Sequence, residues 1–300
     1  YASQDGILFT KDFQRLICFP SKQPSSTYTI PTSVTSIDDS AFFVCRNLRS
    51  ITIPSSVASI GNETFSQCSN LRTIEFLANV SSIGNFMFYR CFNLQSITIP
   101  TSVTSIGDEA FSHCSNLQSI TIPPSVTSIG KSAFYWCSNL QTITIPANVT
   151  SLGETVFLGC SNLQTIIVES NNLTYASQDG ILFTKDFQRL ICFPPNHHFP
   201  TYTIPASVKS IDDSAFYECR TLQSITIPVG VTSIGNSAFS NCSYLQSITI
   251  PASVTSIGNS AFSPCRNLHT ISIPNVFQCQ DRRIFSSMER LGEISFVLNN

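Results

Sequence analysis

The residues that could carry chemistry are four histidines, two pairs of adjacent aspartates and twelve cysteines. His197-His198 could begin a metal site, but Cys192 is the only soft ligand nearby, so we expect two solvated loop histidines. Asp38-Asp39 and Asp212-Asp213 could be paired catalytic carboxylates. Both pairs precede Ser-Ala-Phe, where acidic residues at the start of a helix are ordinary, and a structural role is therefore favoured. We predict no catalytic residue, no metal and no cofactor.

The cysteines follow a regular spacing. Nine of the twelve stand in the frame Phe-x-x-Cys, mostly 23 residues apart. Free cysteine is among the most buried residue types, and one fixed position in a repeat favours a column of reduced, buried thiols over a disulfide network. A buried thiol persists inside or outside the cell, so the compartment stays open. The nine are Cys45, Cys68, Cys91, Cys114, Cys137, Cys160, Cys219, Cys242 and Cys265.

The segment 117–139, LQSITIPPSVTSIGKSAFYWCSN, returns with few changes 23 residues earlier and 23 residues later. Leu-x-x-Ile-x-Ile alternates with period two and predicts a strand, and Phe-x-x-Cys predicts a turn or two of α- or 3₁₀-helix. A period of this length indicates a repeat solenoid, in which the strands of successive copies form a parallel sheet. Because helical turns are bulkier than strands, we expect the sheet on the concave face and the helical turns on the convex face.

The repeats predict one domain over residues 1–300. Residues 1–20 recur almost unchanged at 175–194, and both copies predict a β-hairpin inserted into the array. Regular 23-residue repeats fill 28–174 and 201–273, and 274–300 predicts a C-terminal capping unit with a short helix after Asp281. In that unit we expect Ile294 and Phe296 to stand in the places of Ile271 and Ile273. Because Tyr1 begins partway through a motif, we expect the chain to be a fragment.

Composition excludes several partners. Charged residues make up 11% of the chain and the formal net charge is -2, which leaves no electrostatic footprint for nucleic acid. No apolar run approaches the ~20 residues that span a bilayer. Because so few residues are charged, the polar surface must come mainly from Ser, Thr, Asn and Gln. The oligomeric state stays open.

One candidate binding surface is a stripe of hydroxyl side chains that face out from the predicted sheet. Such a stripe on a concave face could bind a partner, but it could equally be a polar, solvated, β-prone face. A regular hydroxyl lattice also raises an ice-binding hypothesis, which the expected curvature disfavours. The central members are Ser96, Thr98, Ser119, Thr121, Thr142 and Thr144.

A second candidate surface comes from the two residues before each cysteine. In the first half of the chain these positions hold Tyr89, Arg90, His113, Tyr135 and Trp136. Exposed Trp, Tyr and Arg are frequent interface anchors. The alternative is that the rings lie flat and cover the convex core. The corresponding positions Ser240-Asn241 and Ser263-Pro264 in the second half lack such a cluster.

The repeated pattern L-x-x-I-x-I-P-x-S-V-T-S-I-G-x-x-A-F-x-x-C-x-N resembles the BspA-like class of leucine-rich repeats, and GILFTKDFQRLICFP resembles that family's irregular unit. Leu77 and Glu169 depart from the pattern where Pro is typical, and Met288 departs where Cys is typical. The resemblance implies a right-handed leucine-rich-repeat superhelix. It also implies a non-enzymatic cell-surface or secreted protein that adheres to host cells or extracellular-matrix proteins. The alternative is an intracellular protein-interaction scaffold that uses the concave Ser/Thr face.

Overall fold

The structure, a computed structural model, describes residues 1–274, 277 and 283–284 and the backbone strand at 295–299. The chain forms two compact units, residues 1–160 and 161–300. The single domain over 1–300 stays a prediction. The strands of unit 1 are β1 (Ala2–Gln4), β2 (Ile7–Phe9), β3 (Arg15–Cys18), β4 (Thr27–Thr29), β5 (Ser36–Ile37), β6 (Ser50–Ile53), β7 (Ser59–Ile60), β8 (Thr73–Phe76), β9 (Ser82–Ile83), β10 (Ser105–Ile106), β11 (Ser128–Ile129), β12 (Thr142–Ile145) and β13 (Ser151–Leu152). Those of unit 2 are β14 (Thr165–Val168), β15 (Tyr175–Gln178), β16 (Ile181–Thr184), β17 (Arg189–Cys192), β18 (Thr201–Thr203), β19 (Ser210–Ile211), β20 (Ser224–Thr226), β21 (Ser233–Ile234), β22 (Ser247–Thr249), β23 (Ser256–Ile257), β24 (Thr270–Pro274) and β25 (Ser295–Asn299).

Each unit is a β-solenoid, and the Leu-x-x-Ile-x-Ile segments form the first side of its coils. In β6, Ile51 and Ile53 point into the core with 1% and 0% of their surface exposed, while Ser50 and Thr52 point outward. The strands pair in parallel, and Ser50 stands opposite Thr73, one repeat away. The predicted parallel solenoid is therefore confirmed. The handedness and curvature of the superhelix stay predictions.

A second side, built from the Ser-Ile pair of Val-Thr-Ser-Ile, is also a parallel sheet. In unit 1 the strands β9, β10, β11 and β13 pair in order, with Ser105 opposite both Ser82 and Ser128. Sequence analysis predicts only an extended segment here. Two-residue strands are too short for a periodic signal, and the ladder between coils is what makes them a sheet.

The third side corrects the prediction of helical turns, because the described residues contain no α- or 3₁₀-helix. In the turn after β7, Glu63 and Gln67 adopt left-handed backbone angles, with φ of 55° and 60°. Left-handed residues cannot continue a right-handed helix. Alternate amides donate forward to the next coil, as Phe65 N does to Met87 O at 3.0 Å, while the amide of Ser66 closes a local turn on Glu63 O.

The core beneath the third side holds a column of phenylalanine rings and a column of thiols. Phe111 is fully buried and stacks on Phe88 and Phe134 with ring centroids 5.3 and 5.5 Å away. All nine cysteines of the Phe-x-x-Cys frame are free and buried, as predicted. The thiol of Cys114 donates to the carbonyl of Phe88 at 3.2 Å, and its neighbours in the column repeat that bond. Burial raises the pKa of the Cys114 thiol.

Both predicted hairpins form, as the antiparallel pairs β2–β3 and β16–β17. Each hairpin gains a further antiparallel strand, β1 or β15, which the sequence did not indicate. The last hairpin strand then pairs in parallel with the second side, where Leu16 stands opposite Ile37 and Leu190 opposite Ile211. The hairpins are therefore continuous with the solenoid sheets.

At two positions the repeat lacks the proline that typically follows the strand, yet both strands end where the pattern predicts. β8 ends before Leu77 and β14 ends before Glu169, although neither residue is proline. The predicted alignment of the last coil is wrong, because Ile271 stands opposite Phe296, 25 residues away rather than 23. The rest of the predicted capping helix, with Phe285, Met288 and Leu291, lies outside the described residues.

Candidate functional site

The strongest candidate site lies on the third side of unit 1, at the residues that immediately precede a buried cysteine. Arg90, His113 and Trp136 stand one repeat apart and adopt φ of 57°, 60° and 56°. The cysteines that follow them in the chain, Cys91, Cys114 and Cys137, are completely buried in the core. The left-handed backbone therefore presents each outward side chain at the same place on successive coils.

The structure brings these residues together with the two tyrosines of the preceding column. We call Tyr89, Arg90, His113, Tyr135 and Trp136 the aromatic cluster. Tyr89 and Tyr135 each meet the imidazole of His113 edge to face, with ring centroids 5.8 and 5.5 Å away. The guanidinium of Arg90 lies 5.1 Å from the centre of the Tyr89 ring, within cation–π range. His113 is thus the centre of the cluster.

Trp136 is held between two coils. Its indole stacks on His113 of the preceding coil, with centroids 6.2 Å apart and ring planes 14° from parallel. On the following coil it lies against the backbone of Gly159. The side chain remains 38% exposed. Both faces of the indole are therefore covered and its edge meets solvent, so the ring does not lie flat over the core.

The electrostatic setting of the cluster keeps His113 neutral near pH 7. Burial lowers the pKa of His113, and the nearby positive charge of Arg90 lowers it further, while Glu109 acts in the opposite direction. A neutral imidazole retains one N–H donor and one acceptor. The cluster therefore combines one permanent cation with four polar aromatic groups.

The predicted hydroxyl stripe lies on the first side of the same coils, away from the aromatic cluster. All six of its predicted members are exposed. Of these six residues, only Thr142 and Thr144 belong to a strand, β12. A single β-bridge joins Thr98 to Thr121. Ile97 and Ile120 beside this bridge are each 7% exposed, against 1% for Ile143 in β12. The stripe is therefore accessible to solvent, and the isoleucines beside the bridge are slightly more exposed than Ile143 in β12.

The acidic pairs have structural partners. Asp38 and Asp212 pair with Arg15 and Arg189, and the Arg189–Asp212 contact measures 2.7 Å. Asp39 Oδ1 and Asp213 Oδ1 each accept an amide proton from the next coil, at 2.7 Å from Asn62 N and Asn236 N. The predicted structural role holds for these contacts. Its predicted cause was wrong, because the carboxylates join coils and do not start helices.

The prediction of two solvated loop histidines is wrong for His197. His198 is exposed, but His197 is fully buried and its Nε2 lies 2.7 Å from the carbonyl of Asp179. The amide of Phe199 donates to Nδ1 at 3.3 Å, so Nε2 carries the proton and the ring is neutral. Burial lowers the pKa of His197. In the described part of the chain, no three His, Cys, Asp or Glu side chains group as metal ligands.

The sequence analysis did not single out two further residues on the third side, Gly159 and Phe43. Gly159 supports the indole of Trp136, and it stands in the same column as Trp136, one repeat later. Phe43, which is 41% exposed, stands in the column of Tyr89 and Tyr135. Extending the column comparison by one coil toward the C-terminus and two coils toward the N-terminus would have found both.

The sequence matches the BspA type leucine-rich-repeat region in six copies, over residues 17–114, 81–185 and 189–300. The chain belongs to the BspA-type leucine-rich-repeat family. Leucine-rich repeats of this kind are typically non-enzymatic binding modules. No curated protein matches the chain.

Solved structures of bacterial leucine-rich-repeat proteins share the fold of this BspA-type chain. A leucine-rich cell surface protein from Faecalibacterium prausnitzii is 29% identical, with 96% of this chain and 83% of that chain covered and a TM-score of 0.76. The pneumococcal vaccine antigen PcpA is 22% identical, with 98% and 88% covered and a TM-score of 0.73. A leucine-rich-repeat protein from Eubacterium ventriosum is 23% identical, with 96% and 81% covered and a TM-score of 0.61. Among the described residues, no helix has the length and apolarity needed to cross a membrane.

Proposed function

We propose that the chain is a non-enzymatic adhesion module, displayed at a cell surface or secreted, that binds a protein of a host cell or of the extracellular matrix. Membership of the BspA-type family supports protein binding. The description of the Faecalibacterium relative as a cell surface protein supports the location. The aromatic cluster is the proposed recognition site, and the hydroxyl stripe is a second candidate surface.

The observation that carries the proposal is the preorganised arrangement of the aromatic cluster. Ordering long side chains at an interface costs about 0.5–1.5 kcal/mol each. Here Tyr89, Tyr135 and Trp136 already contact His113 in the free protein. A partner that meets these edges therefore loses little to side-chain ordering, and Trp, Tyr and Arg are the residue types that most often dominate binding energy.

The experiment measures the dissociation constant of the chain for a panel of purified extracellular-matrix proteins and for intact host-type cells. Trp136→Ala and Tyr135→Ala are expected to weaken binding by about tenfold or more, the range of interface hot spots. Asn241→Ala, in the column of Trp136 but in unit 2, is the matched control and is expected to bind like the wild type. Unchanged binding by both cluster variants would exclude the cluster. No binding to any probe would exclude this adhesion function.

The second candidate function is an intracellular protein-interaction scaffold that binds through the hydroxyl stripe. Exposure of all six predicted stripe residues favours it. A Thr98→Lys/Thr121→Lys variant places two charges on the stripe and leaves the aromatic cluster intact. A protein ligand that this variant loses, and that Trp136→Ala retains, would assign recognition to the stripe.

A further inference from the structure

We propose that Gly159 is a positioning residue for the recognition site, because the side chain it lacks leaves the space that holds the indole of Trp136. The inference rests on the proposed function for its effect on binding. Its effect on Trp136 itself can be measured without any ligand. Gly159 thereby extends the site to four successive coils, since the aromatic cluster occupies the three coils before it.

The contact geometry excludes a side chain at this position. A Cβ built on Gly159 would lie 2.9 Å from each of Cγ, Cδ1 and Cδ2 of Trp136. Equal distances to three bonded ring atoms place that position over the face of the indole and not beside its edge. These atoms lie near the root of the side chain, so a small rotation of its far end would not relieve the contact.

The indole has no free direction along the column. His113 covers the opposite face, with 6.2 Å between the ring centroids. His113 is itself fixed by Tyr89 and Tyr135 on two sides. A methyl group on Gly159 would therefore have to turn the indole outward toward solvent, and the stacked arrangement would be lost.

The left-handed backbone angle alone does not explain why position 159 holds glycine. Gly159 has a φ of 77°, in the left-handed region where glycine is favoured. Yet seven other described members of the same column carry side chains at φ of 56° to 62°, among them Trp136 and Asn241. The column therefore tolerates side chains, and what distinguishes position 159 is the indole that lies against it.

Trp136 is the single tryptophan of the chain, so its fluorescence reports this site alone. Gly159→Ala is expected to shift the emission maximum to the red and to increase quenching by iodide, as the indole turns toward water. Gly6→Ala is the matched control. Gly6 has a φ of 78°, and its built Cβ meets nothing closer than Gln23 at 3.9 Å. This control repeats the backbone strain and is expected to leave the emission unchanged.

Binding and stability measurements complete the test. Against the ligand found with the panel, Gly159→Ala is expected to weaken binding about tenfold, and Gly6→Ala is not. The Trp136→Ala/Gly159→Ala double variant removes the steric conflict, so Gly159→Ala should lower the melting temperature less in the Trp136→Ala background.

Wild-type emission and quenching in Gly159→Ala would overturn the proposal. If Gly159→Ala fails to fold, a folded double variant supports it and an unfolded double variant overturns it. Unchanged binding by both Trp136→Ala and Tyr135→Ala would exclude the aromatic cluster as the recognition site, but it would leave the fluorescence result for Gly159 intact.

Discussion

The third sides of the two units have the same backbone and different surfaces. The residue before the buried cysteine has a φ of 60° at His113 in unit 1 and 62° at Asn241 in unit 2. Below it, Phe239 stacks on its neighbours at 4.9 and 5.4 Å, much as Phe111 does in unit 1. The outward side chains change, because unit 2 carries Tyr217-Glu218, Ser240-Asn241 and Ser263-Pro264 where unit 1 carries the aromatic cluster, and only Tyr217 among them is aromatic. The core and the outward residues therefore vary independently, and specificity can be built on one column without altering the fold.

The duplicated hairpin units also keep one contact while changing the residue that makes it. In unit 1 the side-chain amide of Gln23 donates to the carbonyl of Asp5 at 2.5 Å. In unit 2 the equivalent carbonyl, that of Asp179, meets Nε2 of His197 at 2.7 Å. The bond is kept, but its donor in unit 2 can titrate. The two units should therefore differ in how they respond to pH.

The largest expected contrast lies in thiol reactivity, which tests whether the buried columns of the two units are equivalent. Cys18 is exposed and the nine column cysteines are buried. A thiol that reacts only after unfolding should be slower than Cys18 by about 10³-fold or more, given usual domain stabilities. Cys192, whose pKa burial raises to about 12, should also react more slowly than Cys18. Timed alkylation followed by peptide mass spectrometry measures each site. Fast labelling of the column in one unit alone would break the equivalence, and disulfides there would contradict the buried thiols.

The next prediction compares the two phenylalanine columns. Phe111→Ala and Phe239→Ala each remove a fully buried ring that stacks on two others, so each should lower the free energy of unfolding by about 3–5 kcal/mol. Urea denaturation followed by circular dichroism measures both losses. Ser119→Ala, at an exposed position of the hydroxyl stripe, is the control and should change stability by less than about 0.5 kcal/mol. A loss below about 1 kcal/mol in one unit would show that its column is not core.

The third prediction uses His197 and Gln23. His197→Ala should cost about 1–3 kcal/mol, because it leaves the Asp179 carbonyl and the Phe199 amide without side-chain partners. The pKa of His197 is lowered in the fold by burial, so above pH 6.5 both the folded and the unfolded chain hold it neutral and stability is complete. As pH falls below 6.5, the unfolded chain binds a proton that the folded chain does not, and the free energy of unfolding decreases until the folded pKa is reached.

Two reciprocal variants test this origin of the pH dependence. His197→Gln copies unit 1 into unit 2 and should remove the part of the decrease between pH 7.5 and 5.5 that His197 causes. Gln23→His should add a smaller decrease to unit 1, because the contact of Gln23 with Asp5 is more exposed. Denaturation curves of the three proteins at both pH values provide the measurement. An identical pH dependence in wild type and His197→Gln would show that other titratable groups cause the effect.

The periodic parts of the fold were predictable because they depend on local alternation. Ile51 and Ile53 in a strand and Cys114 in a buried column follow from spacing and residue type alone. The third side was not predictable, because Glu63 and Gln67 have no intrinsic preference for left-handed angles. Their conformation is stabilised by hydrogen bonds to the next coil, 22 residues away, such as that from Glu63 N to Asn85 O at 2.9 Å.

The candidate site was partly predictable for the same reason. Comparing columns at the repeat spacing placed Arg90, His113 and Trp136 side by side, and the structure confirms that His113 contacts Trp136. The burial of His197 was hidden, because its partner Asp179 lies 18 residues away, on the other side of the hairpin formed by β16 and β17. A period aligns equivalent positions, but it carries no information about contacts made outside the repeat.

The smallest expected effect concerns the titration of the aromatic cluster itself. Protonated imidazole quenches an adjacent indole, so the fluorescence of Trp136 should fall as His113 becomes charged. The midpoint should lie below 6.5, because burial and then Arg90 lower the pKa of His113. Arg90→Ala removes one positive charge and should move the midpoint toward the usual value. His113→Gln should abolish the transition, and a fluorescence decrease that persists in this variant would show that another group reports on Trp136. Since unit 2 has no tryptophan, the measurement isolates the surface that distinguishes unit 1.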